Sequence, residues 1–201
     1  MKIVEEISLI RRGNYAQSGD WKVIRTELFD AIRRVDWPPG SGKFTIYPES
    51  GKKPGQGNGV TPIKNGLMAE LQSKGWAIES RAKNAAGKVF GEFDAALLRS
   101  GPVVLEWETG NISSSHRSIN KMALFLQECS IAVGVLVVPS KKLAYFLTDR
   151  IGNISELERY FPYWKKTPCD QGVLEIAVIE HDAESTGVPR IPKGTDGRAR
   201  A

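Results

Sequence analysis

The stretch "IAVGVLVVP" (Ile131–Pro139) is nine residues with no polar side chain, closed by a proline. A membrane helix needs roughly twice that length, about 18 to 20 apolar residues. A half-buried strand would alternate apolar and polar positions, and this run does not. The pattern left is a strand covered on both faces, which belongs to the centre of a sheet flanked by helices. "GVLEIAVIE" (Gly172–Glu180) repeats it with one glutamate inside. Two such strands separated by amphipathic stretches predict an α/β domain with a mixed central sheet.

The remaining elements follow from spacing and punctuation. Helical stretches are expected near Val4–Arg12 and Trp21–Val35, the second ended by Trp37-Pro38-Pro39-Gly40. "KFTIYP" (Lys43–Pro48) is strand-like, Ser50–Gly59 is a glycine- and lysine-rich loop, and Pro62 opens a helix through Leu67, Leu71 and Trp76. "KVFGEFDAALL" (Lys88–Leu98) turns at Arg99–Pro102 into the strand "VVLEWET". Ile119, Met122, Ala123 and Leu126 then recur at helical spacing. "LAYFLTDR" and "ISELERYF" read as short helices or turns, and the chain from Asp182 onward as extended. At 201 residues, with no repeat or long linker, the chain is expected to form a single domain, 1–201.

Composition narrows the chemistry. Cys129 and Cys169 have no CxxC spacing and are expected to be reduced thiols of a cytosolic protein. MKIVEEISLIRR lacks the apolar core and cleavage site of a signal peptide. Two histidines, His116 and His181, are too few for a histidine-rich metal site, so a metal here would take oxygen ligands, which suits Mg²⁺. The formal charge is +5 and the pI about 9.2. Basic residues crowd the loops GSGKF, SGKKPGQG, SRAKNAAGK, PSKK and YWKK and the tail PKGTDGRARA. Basic loops around an acidic centre suit a nucleic acid, although any one cluster also reads as solvated surface.

The acidic centre is "VLEWETGNISSSHR" (Val104–Arg117). Strand alternation puts Glu106 and Glu108 on one face with Val104, and Leu105 and Trp107 on the other. Asp94, in the preceding strand, would turn back alongside them. Three carboxylates at one sheet edge need a cation or shared protons. A divalent metal there could bind a phosphodiester and activate water. The same spacing also fits an ordinary strand whose glutamates face solvent. Gly110-Asn111 then breaks the strand, and Asn111 or one of Ser113–Ser115 caps the next helix. That helix start suits phosphate or a base edge, and equally a cap with no ligand.

"EWETGNISSSHRSINK" (Glu106–Lys121), "LAYFLTDRIGNISELERYF" (Leu143–Phe161) and "VPRIPKGTDG" (Val188–Gly197), together with "FTIY" and "NGVTPIK" (Asn58–Lys64), resemble the BamHI family of type II restriction endonucleases, in the same order and over most of the chain. The resemblance implies a PD-(D/E)xK nuclease fold, a homodimer, Mg²⁺, and double-stranded DNA cut at GGATCC after the first G, leaving 5′-phosphates. By the same resemblance Asp94 and Glu106 are metal-binding acids. Glu108 stands where related nucleases carry lysine and would orient or deprotonate the attacking water. Glu79 in "GWAIES" matches a further catalytic acid. Asn111, Ser113 and Arg117 match base readers at the start of the recognition helix, Asp149 and Arg150 a pair that reads G·C edges, and Lys64 and Asp196 further DNA-proximal positions. Ile119–Cys129 and Ile154–Tyr163 match dimer surfaces that must also supply core. His116 matches no assigned role. The spacer between Asp94 and Glu106 is shorter than in BamHI. The sequence closes with "GTDGRARA", where BamHI continues into a helix, so properties of that helix are not carried over. Two rivals stand beside this reading: a sequence-specific DNA-binding protein without catalysis, and a repair or junction nuclease of the same fold.

Overall fold

A computed structural model describes residues 1–53, 55–83, 87, 89–99, 101–148 and 151–193. Its centre is a six-stranded sheet of β1 (Lys2–Arg12), β3 (Ala77–Lys83), β4 (Val89–Leu97), β5 (Val103–Trp107), β6 (Val133–Pro139) and β7 (Gly172–Glu180), in the order β1-β7-β6-β5-β4-β3. β5, β6 and β7 run parallel, while β1, β4 and β3 pair antiparallel to their neighbours. The parallel trio forms the middle, and every residue of β5 and β6 is buried, as the uninterrupted apolar runs require.

Each face carries its own core. Leu105, Trp107, Val133, Val135 and Val137 pack on one side with Trp21, Leu28, Phe29 and Ile32 of α1 (Gly19–Arg34) and with Ile63, Leu67 and Leu71 of α2 (Thr61–Ser73). Val104, Leu136, Val138 and Leu174 face the other side. There they meet Ile119, Met122, Phe125 and Leu126 of α3 (Ile112–Gln127), with Ile154, Leu157 and Trp164 beyond. The short helices are α4 (Lys141–Phe146), α5 (Ile154–Leu157) and α6 (Phe161–Trp164). A two-stranded parallel sheet joins β2 (Thr45–Ile46) to β8 (Ala183–Glu184). No helix among the described residues is long and apolar enough to cross a membrane.

Two expectations change. Val4–Arg12 is not a helix but most of β1, paired with β7 along its length. Register shifts between Ile3 and Glu5 and between Ser8 and Ile10 each insert one extra residue. Each bulge breaks the two-residue alternation, and the apolar spacing that results imitates a helix. α2 stops at Ser73, and Trp76 lies beyond it, buried, with its N–H donated to Leu71 O. The "AIES" after Trp76 is strand, part of β3.

α2 and α3 deliver side chains to the same place from opposite faces of the sheet. Pro62 sits in the first turn of α2, which sets Lys64 one turn into the helix. α3 begins five residues after β5 ends and packs closely on β6. A Cβ added to Gly134 would lie 2.9 Å from Met122 Cβ.

Candidate active site

β4 and β5 pair Ala95 with Leu105 and Ala96 with Val104. Continuing that register by one residue sets Asp94 opposite Glu106. The ladder gives way there to a side-chain bond: Trp107 N donates to Asp94 Oδ2 at 2.7 Å. The other oxygen, Oδ1, accepts from Lys64 Nζ at 2.6 Å. Asp94 is thus fixed by the sheet on one side and by α2 on the other.

Glu106 is only 4 % exposed. The alternative of solvent-facing glutamates fails for it, because α3 covers that face of β5. Its partner is Lys121 of α3, whose ammonium pairs with Oε1, donates to Glu92 O and lies 4.4 Å from the centre of the Phe93 ring. Burial pushes the Glu106 carboxyl up to about 7; the Lys121 charge offsets part of that, and Asp94 and Glu108 add to the rise. Glu108 lies just past the end of β5, its N–H bonded to Val137 O at 2.8 Å. Burial raises its pKa too, and the hydrogen bond that Ser118 Oγ donates to Glu108 Oε1, at 2.6 Å, opposes the rise.

Asp94, Glu106 and Glu108 line one cleft of about 820 Å³ together with Lys64, Arg117, Ser118 and Lys121. With Glu92, which also lines it, four acidic residues share the cleft with two lysines and an arginine. Among the described residues no set of three or more Asp, Glu, His or Cys side chains is gathered as a ready metal cage. Mg²⁺ does not need one: it is usually held by one or two carboxylates, its own waters and substrate phosphate oxygens. Asp94 and Glu106, adjacent across β4 and β5 and carrying only oxygen donors, fit that demand.

The expected base readers divide. Asn111 is the N-cap of α3, its Oδ1 accepting from Ser113 N at 2.8 Å and Ser114 N at 3.3 Å. Asn111, Ser113 and Arg117 are all exposed on the first turns of that helix, and Arg117 also reaches the cleft. Asp149, Arg150 and Asp196 lie outside the described residues. Glu79 sits on β3 between Ile78 and Ser80, which pair with Ala95 and Phe93, so it is level with Asp94. Its φ is 50° and it is exposed, and it does not line the cleft. Lys64, expected near DNA, is bonded to Asp94 within the cleft. His116 packs edge-on against Tyr160, ring centres 4.5 Å apart, and lies 5.5 Å from Trp164.

Ser118 and Lys121 were not singled out from the sequence. The available signal was their place on α3. Ser118 precedes Ile119 and Lys121 precedes Met122, so both sit within the apolar stripe that marks the buried face. A polar side chain there needs a partner, and the carboxylates of β5 are the partners at hand.

The family model described as "Restriction endonuclease BamHI" matches residues 1–198. The chain belongs to the BamHI family of restriction endonucleases. Among curated relatives, the type II restriction enzyme OkrAI of Oceanobacter kriegii is 47% identical over 178 residues, 88% of this chain and 89% of OkrAI. The type II restriction enzyme BamHI of Bacillus amyloliquefaciens is 36% identical over 185 residues, 87% of this chain and 81% of BamHI. A crystal structure of the restriction endonuclease BglII complexed with a DNA 16-mer superimposes with a TM-score of 0.59 at 12% identity, covering 90% of this chain and 79% of BglII. That likeness establishes the shared PD-(D/E)xK-type fold, a mixed sheet between helices. The members of the BamHI family named here are type II restriction enzymes, that is, site-specific deoxyribonucleases, and this chain is an enzyme of that class.

Proposed function

We propose that the protein is a homodimeric, Mg²⁺-dependent endonuclease of the bacterial cytoplasm that cuts both strands of DNA at GGATCC after the first G, leaving 5′-phosphates. The observation that carries the reading is the convergence of Asp94, Glu106 and Glu108 in one cleft beside the exposed start of α3. The family relationship supports the target sequence, and two-fold protein symmetry is the natural match for a palindrome.

Asp94 and Glu106 would hold the metal, which when bound supplies charge to a phosphate oxygen and acidity to a water. The chain's own residues do the rest. Lys64, bonded to Asp94, brings positive charge to the cleft for the phosphate. Glu108, held through Oε1, would orient the attacking water and accept its proton. The water oxygen bonds to phosphorus, the bond from phosphorus to O3′ breaks, and the O3′ takes up a proton, leaving a 3′-hydroxyl and a 5′-phosphate. Asn111, Ser113 and Arg117 would read base edges from the N-terminal turns of α3. Arg suits guanine O6 and N7, and Asn suits base-edge hydrogen bonding. Asp149 and Arg150 would read G·C edges, and Asp196 would approach the DNA. Glu79 would join the catalytic acids only if the edge strand turned its side chain inward.

The test uses two plasmids that differ in a single GGATCC, incubated with the protein and Mg²⁺. Linearisation of the site-bearing plasmid alone is expected, and equal resistance of both would overturn the reading. Glu108→Ala should retain specific binding and lose cutting, which a gel-shift and a cleavage assay read separately. Parallel loss of both would remove Glu108 from the water-activating role. Equal cutting at unrelated or branched substrates would favour a repair nuclease instead.

A further inference from the structure

The two glutamates are held by one turn of one helix. Ser118 Oγ donates to Glu108 Oε1 at 2.6 Å, and Lys121, three residues on, pairs with Glu106. Asp94, by contrast, is held from elsewhere, by Lys64 of α2 and the backbone of Trp107. The same α3 presents Asn111, Ser113 and Arg117 to solvent on the turns just before. Readers and grips therefore share the first three turns of one rod, residues 111 to 121, a rise of about 15 Å.

Ser118 is not placed there by packing. It is 3 % exposed on a face that otherwise contributes Ile119, Met122, Ala123, Phe125 and Leu126 to the core. An alanine would fill the position without a polar atom to satisfy. Its hydroxyl instead takes up one oxygen of Glu108 and restricts the rotation of the carboxylate. Lys121 repeats the logic: a lysine buried to 13 % side-chain exposure contributes little to net stability even when paired.

We propose that Ser118 is a positioning residue for cleavage: it ties Glu108 to the helix that faces DNA, so that seating α3 on the correct bases also sets the aim of the carboxylate. The inference rests on the proposed function above. Displacing a reacting group by about 1 Å can slow a reaction on the order of 100-fold, so a small shift of α3 suffices to separate correct from incorrect sites at the chemical step. Specificity would then be exercised twice, once in binding through Asn111, Ser113 and Arg117, and again in cutting through Ser118.

The experiment compares wild type, Ser118→Ala and Ser118→Thr in single-turnover cleavage of a GGATCC duplex and of a duplex with one base pair changed. Equilibrium binding of both duplexes is measured without metal. Removing a hydrogen bond of this kind typically costs about 10- to 100-fold in activity, so Ser118→Ala should cut the GGATCC duplex slower by that factor. Its affinity for that duplex should stay within about twofold, because the group lost does not touch DNA. The cleavage ratio between the two duplexes should fall, since at the altered site α3 is not seated and the tie has less to transmit. Ser118→Thr, which keeps the hydroxyl, should restore both rate and ratio. A wild-type cleavage rate in Ser118→Ala, an unchanged ratio, or equal loss of binding and cutting would each overturn the inference. A wild-type protein that cuts neither duplex would instead overturn the proposed function, and the inference with it.

Discussion

Glu106 has the most perturbed surroundings of the three acids, and its chemistry gives a prediction that needs no DNA. Its folded pKa is raised from the ordinary 4.5 to about 7, chiefly by burial. Between those values the folded protein binds more protons than the unfolded chain. Stability from this group is therefore greatest at low pH, declines as pH rises from about 5 to about 7, and is level above that. Each pKa unit corresponds to about 1.4 kcal/mol, so the decline is on the order of 3 kcal/mol in metal-free protein. Glu106→Gln cannot ionise, and the stability difference between variant and wild type should move in the variant's favour across that window. Urea unfolding at pH 5, 6, 7 and 8 in EDTA reads it, and a difference independent of pH would contradict the assignment. The acids themselves were legible as residues: Asp94, Glu106 and Glu108 do share a cleft. Their partners were not, because Lys64 and Lys121 reach them from positions 30 and 15 residues away, across elements whose packing is tertiary.

At the scale of elements, Asn111 is the cap of α3 and the proposed reader of a base edge, and two substitutions separate the two roles. Its Oδ1 caps the helix. Asn111→Ala should lower stability by about 1 kcal/mol, the usual effect of removing a cap. Asn111→Asp keeps the capping oxygen but loses the amide donors, so it should fold as well as wild type and bind GGATCC more weakly. Thermal unfolding and gel-shift measurements separate the two, and full specific binding by Asn111→Asp would leave Asn111 as a cap alone. The helix itself was legible from Ile119, Met122, Ala123 and Leu126, and its start was narrowed to Asn111 or one of Ser113–Ser115, of which the fold selects Asn111. β1 was not. Its pattern satisfied helical spacing, and the strand exists because β7 offers an open edge for pairing along its length, a non-local interaction that overrides local preference.

For the whole molecule the expectation concerns assembly. The apolar face of α3 and the residues Ile154 and Leu157 belong to the core of the chain itself, so those parts of the expected dimer surfaces are already covered. What lies outward nearby is aromatic: Tyr163 is 70% exposed and Tyr160 41%. If two chains meet there, sedimentation should give twice the 22.2 kDa chain mass, and Tyr163→Glu should shift it toward monomer and weaken cutting of the palindrome. A wild-type monomer at micromolar concentration without DNA, unaltered by Tyr163→Glu, would place the dimer surface elsewhere.

The sequence by itself determined the covered central strands, a helix start within Asn111–Ser115 and the acids that share the cleft. Each depends on the character of neighbouring residues: nine apolar positions in a row, a capping side chain before a periodic stripe, two glutamates at strand spacing. Tertiary structure alone decided that β1 is a strand, that Glu79 is turned outward, and that Ser118 and Lys121 of one helix hold Glu108 and Glu106. Those features depend on which surfaces meet, and burial and charge pairing act between residues that sequence spacing does not bring together.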